Sequence, residues 1–237
     1  MASGNTSQAS GRLKAWGLAA GGVTAVFFAG YGLGVAEPAR LGWLASLIRE
    51  WRAPAPYPSP AFAYLPGAAD VVMLGDSITA ATQWHELLPG VKVINRGAAG
   101  ESTQEVAARL DEVLRRQPRK VFLMVGINDV RAGRKEEDIL RDYRRIVRRL
   151  AGAGAEVYVQ SILLLGRGAQ GRQLNPAVTS LNTKLKELCR ETGARYVDLL
   201  PRLCPAGELA SEFTPDGLHL NGPGYLAWAG EVREYAR

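Results

Sequence analysis

Five short apolar runs, each followed by a longer stretch of helical periodicity, constrain this chain more than any other feature. The runs are Val71 to Leu74, Val91 to Asn95, Val121 to Val125, Val157 to Ile162 and Tyr196 to Leu200. Their length and branched composition suit strands buried on both faces. The stretches 103–117, 136–151, 176–192 and 222–235 instead repeat apolar residues at three and four spacing, the helical period. Strands that alternate with helices imply a parallel sheet, because parallel neighbours need a crossover and the helix supplies it. Right-handed crossovers then place helices on both faces, so the expected fold is a three-layer α/β/α sandwich around five parallel strands. Loops that follow the strands share one edge of such a sheet, and motifs far apart in sequence can meet there.

At 237 residues and 47% hydrophobic content the chain can fill one domain core, and no internal repeat is visible. The domain is expected over 67–237, because the preceding sequence has a different character. Residues 1–14 are small and polar, ending in the basic pair Arg12 and Lys14, and the 22 residues from Ala15 to Ala36 carry no charge. As a helix that run would extend roughly 33 Å, enough for a bilayer core, and its glycines are better tolerated in lipid than in water. A transmembrane signal anchor is the leading expectation. A cleaved secretory signal ending near Gly34-Val35-Ala36 is the alternative, and a buried or disordered extension of a cytoplasmic enzyme is a third. The first two place the domain outside the cytoplasm, tethered or secreted. Within 37–66, Trp43, Leu44, Leu47, Ile48 and Trp51 share one helical face, suited to a membrane interface or to packing on the domain. The alternating prolines from Pro54 to Pro60 then favour an extended spacer.

Cys189 and Cys204 are the only cysteines, and neither has metal-ligand spacing, so no structural zinc is implied. Cys189 shares an apolar face with Leu181, Leu185 and Leu188, which favours a buried thiol over a disulfide. The net charge is +6, and Arg141, Arg144, Arg145, Arg148 and Arg149 gather on one side of a helix. A solvated outer face is the expected reading, with attraction to anionic lipid or polymer second. No nucleic-acid partner is expected, since aromatic and basic residues do not interleave.

Four loop segments carry the chemistry: Gly75-Asp76-Ser77-Ile78, Asn95 to Ser102, Gly126-Ile127-Asn128-Asp129 and Asp216-Gly217-Leu218-His219. A serine hydroxyl attacks a carbonyl at neutral pH only when a base within hydrogen-bond reach takes its proton, and imidazole is the side chain best tuned for that. Asp216 lies three residues before His219 on a glycine-containing turn, so its carboxylate can orient the ring. The intermediate's oxyanion needs donors already aimed at it, which backbone N–H groups and an asparagine amide can supply.

In this order the segments resemble the four blocks of the GDSL, or SGNH, hydrolase family, and the resemblance runs from about Ala69 to the C-terminus. It implies the flavodoxin-like SGNH hydrolase fold, with Ser77 as nucleophile, His219 as general base and Asp216 as its orienting acid. The Ser77 and Gly100 backbones and the Asn128 side chain would form the oxyanion hole, Gly100 being chosen over Gly97 because it precedes an acidic residue and hydroxyl residues. No cofactor or metal ion is implied. His85 is expected to be a surface or structural histidine. Asp76 and Asp129 are expected to hold loop backbone, Asn95 and Gly97 to shape the loop that delivers Gly100, and Asn221 to cap the last helix.

The expected activity is hydrolysis of short-chain carboxylic esters of a small molecule, glycan or lipid. An envelope O-acyltransferase or a lysophospholipase or thioesterase would use the same residues. A flavodoxin-like binding module is disfavoured because the first strand leads into no phosphate-cradling glycine motif. The glycines between Leu163 and Asn175 predict a mobile rim rather than a fixed lid.

Overall fold

The computed structural model describes residues 67–237. The expected signal anchor or signal peptide at 15–36, the amphipathic stretch and the proline spacer lie outside the described residues. Among the described residues no helix is long and apolar enough to cross a membrane.

In chain order the elements are β1 (Val71–Gly75), α1 (Ser77–Ala80), α2 (Trp84–Leu87), β2 (Val93–Gly97), α3 (Thr103–Ala108), α4 (Leu110–Leu114) and β3 (Lys120–Met124). There follow α5 (Ile127–Arg131), α6 (Glu136–Gly152), β4 (Glu156–Gln160), α7 (Ala169–Thr192), β5 (Arg195–Val197), α8 (Leu200–Leu203), a 3-10 turn (Ser211–Phe213) and α9 (Gly222–Ala236). All strand pairs are parallel, in the order β2-β1-β3-β4-β5. This is the flavodoxin-like order, and the chain reverses direction across the sheet between β1 and β3. Ser77 follows β1 and Asn128 follows β3, so two of the candidate residues flank that switch point.

β1 is buried along its whole length, consistent with its all-apolar start and central place. On one face, Phe122 stacks on Tyr158 with ring centroids 4.6 Å apart, and edge-on contact between Trp84 and Trp228 at 4.7 Å closes the packing around α9. Helix α6 buries Ile139, Tyr143, Ile146, Val147 and Leu150. Three of the five arginines on its outer side, Arg141, Arg144 and Arg149, pair with Asp138, Glu191 and Asp111. That favours the solvated outer face over a basic patch. Both cysteines are buried free thiols, and burial pushes Cys189 up to about 12 and Cys204 to about 11.

Several boundaries differ from the sequence expectation. The second strand runs Val93–Gly97 rather than 91–95, because Val93 N–H bonds back to Val91 and the Lys92 carbonyl is taken by Asp70 and Val71. The helix expected over 103–117 breaks at Arg109, whose φ of −102° and ψ of 14° leave the helical region. The third helix starts at Ala169, not Pro176, which lies inside it.

The segment between Leu163 and Asn175, expected as a glycine-containing rim, is thus helical from Ala169 onward. Leu163 to Gly166 are buried, and two asparagines of α7 clamp the preceding segment. Asn182 exchanges both amide hydrogen bonds with Ile162 at 2.8 Å, and Asn175 does the same with Leu165 at 2.8 and 2.9 Å. Each clamp satisfies a backbone donor and acceptor that the loop's geometry leaves outside the sheet ladder.

Candidate active site

Ser77 opens α1 immediately after Asp76, which caps that single turn by accepting the Ile78 N–H at 3.0 Å. The turn is too short to hold itself, and side chains from elsewhere take its carbonyls. Tyr225 of α9 donates to Ile78 O at 2.8 Å, and Trp84 Nε1 donates to Thr79 O at 2.9 Å. Asn95 Nδ2 reaches the carbonyls of Thr79, Ala80 and Thr82 at 3.0–3.1 Å, while its Oδ1 accepts Gly97 N–H at 2.8 Å. Asn95 and Gly97 thus lie in β2 and seat the serine turn, which corrects the expectation that they shape the Gly100 loop. Gly97 is required there because a Cβ would stand 2.2 Å from the Ala80 nitrogen.

His219 comes to Ser77 across 142 positions of sequence, its Nε2 lying 3.1 Å from Ser77 Oγ. Its Nδ1 lies 2.7 Å from Asp216 Oδ2. The other oxygen, Asp216 Oδ1, accepts the backbone N–H groups of His219 at 2.8 Å and Leu218 at 2.9 Å. Burial opposes ionisation of this carboxyl, but the His219 ring and the two backbone donors outweigh it and hold it down at about 2. The turn Thr214-Pro215-Asp216-Gly217 is tightened by Thr214, whose hydroxyl donates to His219 O at 2.6 Å and accepts Gly217 N–H at 2.9 Å. The sequence reading passed over Thr214, although the Pro-Asp-Gly step beside it is a turn signature. Gly217 O in turn accepts Gly166 N–H at 2.8 Å, fastening this loop to the one after β4.

Asn128 lies in α5, and its Nδ2 donates to Glu101 O at 3.0 Å, which holds its amide against the residue that follows Gly100. Gly100 is exposed, with φ of 77°, a left-handed conformation that favours glycine. Asp129 is fully buried and accepts Thr103 N–H at 2.9 Å and Thr103 Oγ1 at 2.8 Å, and it pairs with Arg134. Asp76 and Asp129 therefore hold loop backbone, while His85 lies exposed on α2 beside Glu86. Asn221 caps α9 by accepting Gly224 N–H at 3.0 Å.

Beneath the Gly100 loop is a buried cluster that the sequence reading did not isolate. Arg109 donates to Glu101 and Glu112, and its guanidinium also reaches the Arg96 carbonyl. The sign of such a group was present in the sequence as two arginines and two glutamates inside otherwise apolar periods. Their sharing one interior space was not.

A hydroxyl, an imidazole and a carboxylate in hydrogen-bonded sequence, at the switch point of a parallel sheet, define an arrangement suited to acyl transfer onto serine. The chain belongs to the GDSL-like lipase/acylhydrolase family, whose model matches residues 73–227. It is 30% identical over 169 residues to thioesterase 1/protease 1/lysophospholipase L1 of Escherichia coli strain K12, covering 65% of this chain and 77% of that protein. It is 28% identical to the platelet-activating factor acetylhydrolase IB subunit alpha1 of Bos taurus, covering 66% and 70%. A solved structure described as a platelet activating factor from Streptococcus pneumonia superposes with a TM-score of 0.66 at 26% identity, over 72% of this chain and 85% of that one. The protein is accordingly a hydrolase of ester bonds.

Proposed function

We propose that the protein hydrolyses short acyl esters through an acyl-Ser77 intermediate. The observation that carries this reading is the unbroken sequence from Ser77 Oγ through His219 to Asp216, at 3.1 and 2.7 Å. His219 Nε2 takes the hydroxyl proton as Oγ bonds to the ester carbonyl carbon, and Asp216 stabilises the imidazolium so formed. The carbonyl oxygen becomes an oxyanion facing the backbone N–H groups of Ser77 and Gly100. Asn128, with one amide hydrogen given to Glu101 O, has a second to offer. Collapse of the intermediate breaks the bond to the alcohol, which leaves with the proton from His219. Water then enters by the reverse proton path and releases the carboxylic acid.

A short acyl group is favoured by the relative named an acetylhydrolase; the relative named a thioesterase and lysophospholipase defines the long-chain alternative. The test is fluorophosphonate labelling of purified protein, with mapping of the adduct, followed by a panel of esters of increasing chain length. Label on Ser77 that disappears in His219→Ala is expected, with turnover greatest on acetyl and propionyl esters. Undiminished activity in a folded Ser77→Ala variant would sink the mechanism, and preference for long chains would sink the substrate class. Faster movement of labelled acetate to an added saccharide than to water would instead make the protein a transferase.

We also infer that the domain lies outside the cytoplasm, tethered by residues 15–36. The support is the uncharged run following Arg12 and Lys14. Full-length protein should stay with membranes through alkaline carbonate washing, and release by carbonate would refute the tether.

A further inference from the structure

Arg109 does not touch the candidate triad, yet its guanidinium binds two of the four chemical segments directly and, through Glu101, a third. Its side chain is 6% exposed and leaves the helical path at the break between α3 and α4, turning inward under the C-terminal edge of the sheet. Nε donates to both carboxylate oxygens of Glu101 at 2.8 and 2.7 Å, and Nη1 donates to Glu112 at 2.9 Å. Nη2 donates to Arg96 O at 2.8 Å and reaches Gly75 O at 3.4 Å.

Apart from Glu112, these acceptors belong to elements of the site. Glu101 follows Gly100, and its own carbonyl accepts the Asn128 amide. Gly75 is the last residue of β1, two positions before Ser77, and its carbonyl also accepts Ala98 N–H at 3.0 Å. Arg96 lies at the end of β2, from which the Gly100 loop departs.

We propose that Arg109 is a positioning residue that sets the oxyanion donors against Ser77, acting through Glu101 and the β1 and β2 termini. The planar, forked guanidinium can serve the carboxylate and the two carbonyls at once. A lysine ammonium retains the charge but offers a single point of attachment. The inference rests on the acyl-Ser77 reading, because donors need placing only if an oxyanion forms there.

The expected result of losing the fork is a tilt of the Ala99–Gly100 peptide, whose N–H is the donor, and of Asn128. Misplacement of this kind by about an ångström costs on the order of 100-fold in rate, while the ground-state ester binds almost as before. The test uses the full chain with Arg109→Lys, which keeps the charge beside Glu101, and Glu101→Gln, which loosens the bidentate grip. For each variant kcat and KM are measured with p-nitrophenyl acetate, together with affinity for phenylboronic acid, whose tetrahedral adduct mimics the oxyanion.

In cooperatively melting variants, kcat should fall on the order of 10- to 100-fold with KM nearly unchanged, and boronate affinity should fall in parallel. A folded variant with unaltered kcat would overturn the proposal. So would a kcat loss without a matching loss of boronate affinity, or failure of both variants to fold, which would assign the cluster to stability. Ser77→Ala in the same series tests the underlying reading separately: full activity there would remove the acyl-Ser77 mechanism whatever Arg109 does.

Discussion

Asp76 places a carboxyl where water barely reaches it, and that makes stability depend on pH in a definite direction. Its residue exposure is 1%, and burial raises the carboxyl from 3.8 to about 7, against the Ile78 N–H, which favours the charged form. A displacement of that size corresponds to on the order of 4 kcal/mol between the two protonation states. Because the folded-state value is raised, the stabilising contribution is complete below 3.8 and is lost as pH rises through about 7. Asp76→Asn preserves the oxygen that accepts Ile78 N–H, is a neutral isostere of the protonated acid, and cannot ionise. The assay is urea unfolding of both proteins at about pH 5 and about pH 8.5. The stability difference should shift in favour of the asparagine variant at the higher pH by about 3 kcal/mol, because between those two conditions only the roughly two pH units from 5 to the raised value remain to act. An equal difference at both pH values would refute the reasoning, since it would mean that Asp76 ionises as freely in the fold as in the unfolded chain.

Asn128→Ala removes one oxyanion donor and should lower kcat by about 2.7–4 kcal/mol of barrier, read in ester hydrolysis, with the thermal melt largely kept. Asp216→Asn should lower kcat by on the order of 100-fold or more, because the amide no longer stabilises the imidazolium. Asp216 in the wild type is held down at about 2, so the acid limb of its pH–rate profile should not originate in this carboxyl. Gly97→Ala drives a methyl group into the Ala80 backbone at 2.2 Å. It should lower the melting temperature and, by displacing α1 from β2, reduce turnover as well; a melt indistinguishable from wild type would contradict the close packing. Tyr225→Phe removes the donor to Ile78 O and should cost about 1 kcal/mol in urea unfolding.

The layered architecture was readable because buried strands and amphipathic helices have different periods, and that difference survives without tertiary information. The five strands appear in the predicted sequence order, with boundaries displaced by up to two residues in four of them, as at Lys92 where a turn takes the first carbonyl, and by three in the last, which ends at Val197 because Leu200 already opens α8. The helix break at Arg109 was not readable, since its apolar period runs on through Leu110 and Val113. What breaks the helix is an inward guanidinium whose partners lie on β1, on β2 and in the next turn. The start of α7 was missed for a local reason: Pro176 looks like a first-turn proline, and the preceding glycines look like a loop.

The candidate residues were legible through four local motifs, each weak alone, and the pair Asp216 and His219 needed only a short turn to meet. By itself, the sequence determined the alternation of strand and helix, the side-chain types able to do the chemistry, and the order of the loops bearing them. Only the tertiary structure decided that Ser77 and His219 lie 3.1 Å apart, that Asn95, Trp84 and Tyr225 seat the serine's single turn, and that one buried arginine joins the ends of β1 and β2 to the Gly100 loop. The physical reason is that periodicity records which face of an element is buried. The donors and acceptors that meet across the interior are fixed by strand order and crossover hand, which bring together residues separated by a hundred positions or more.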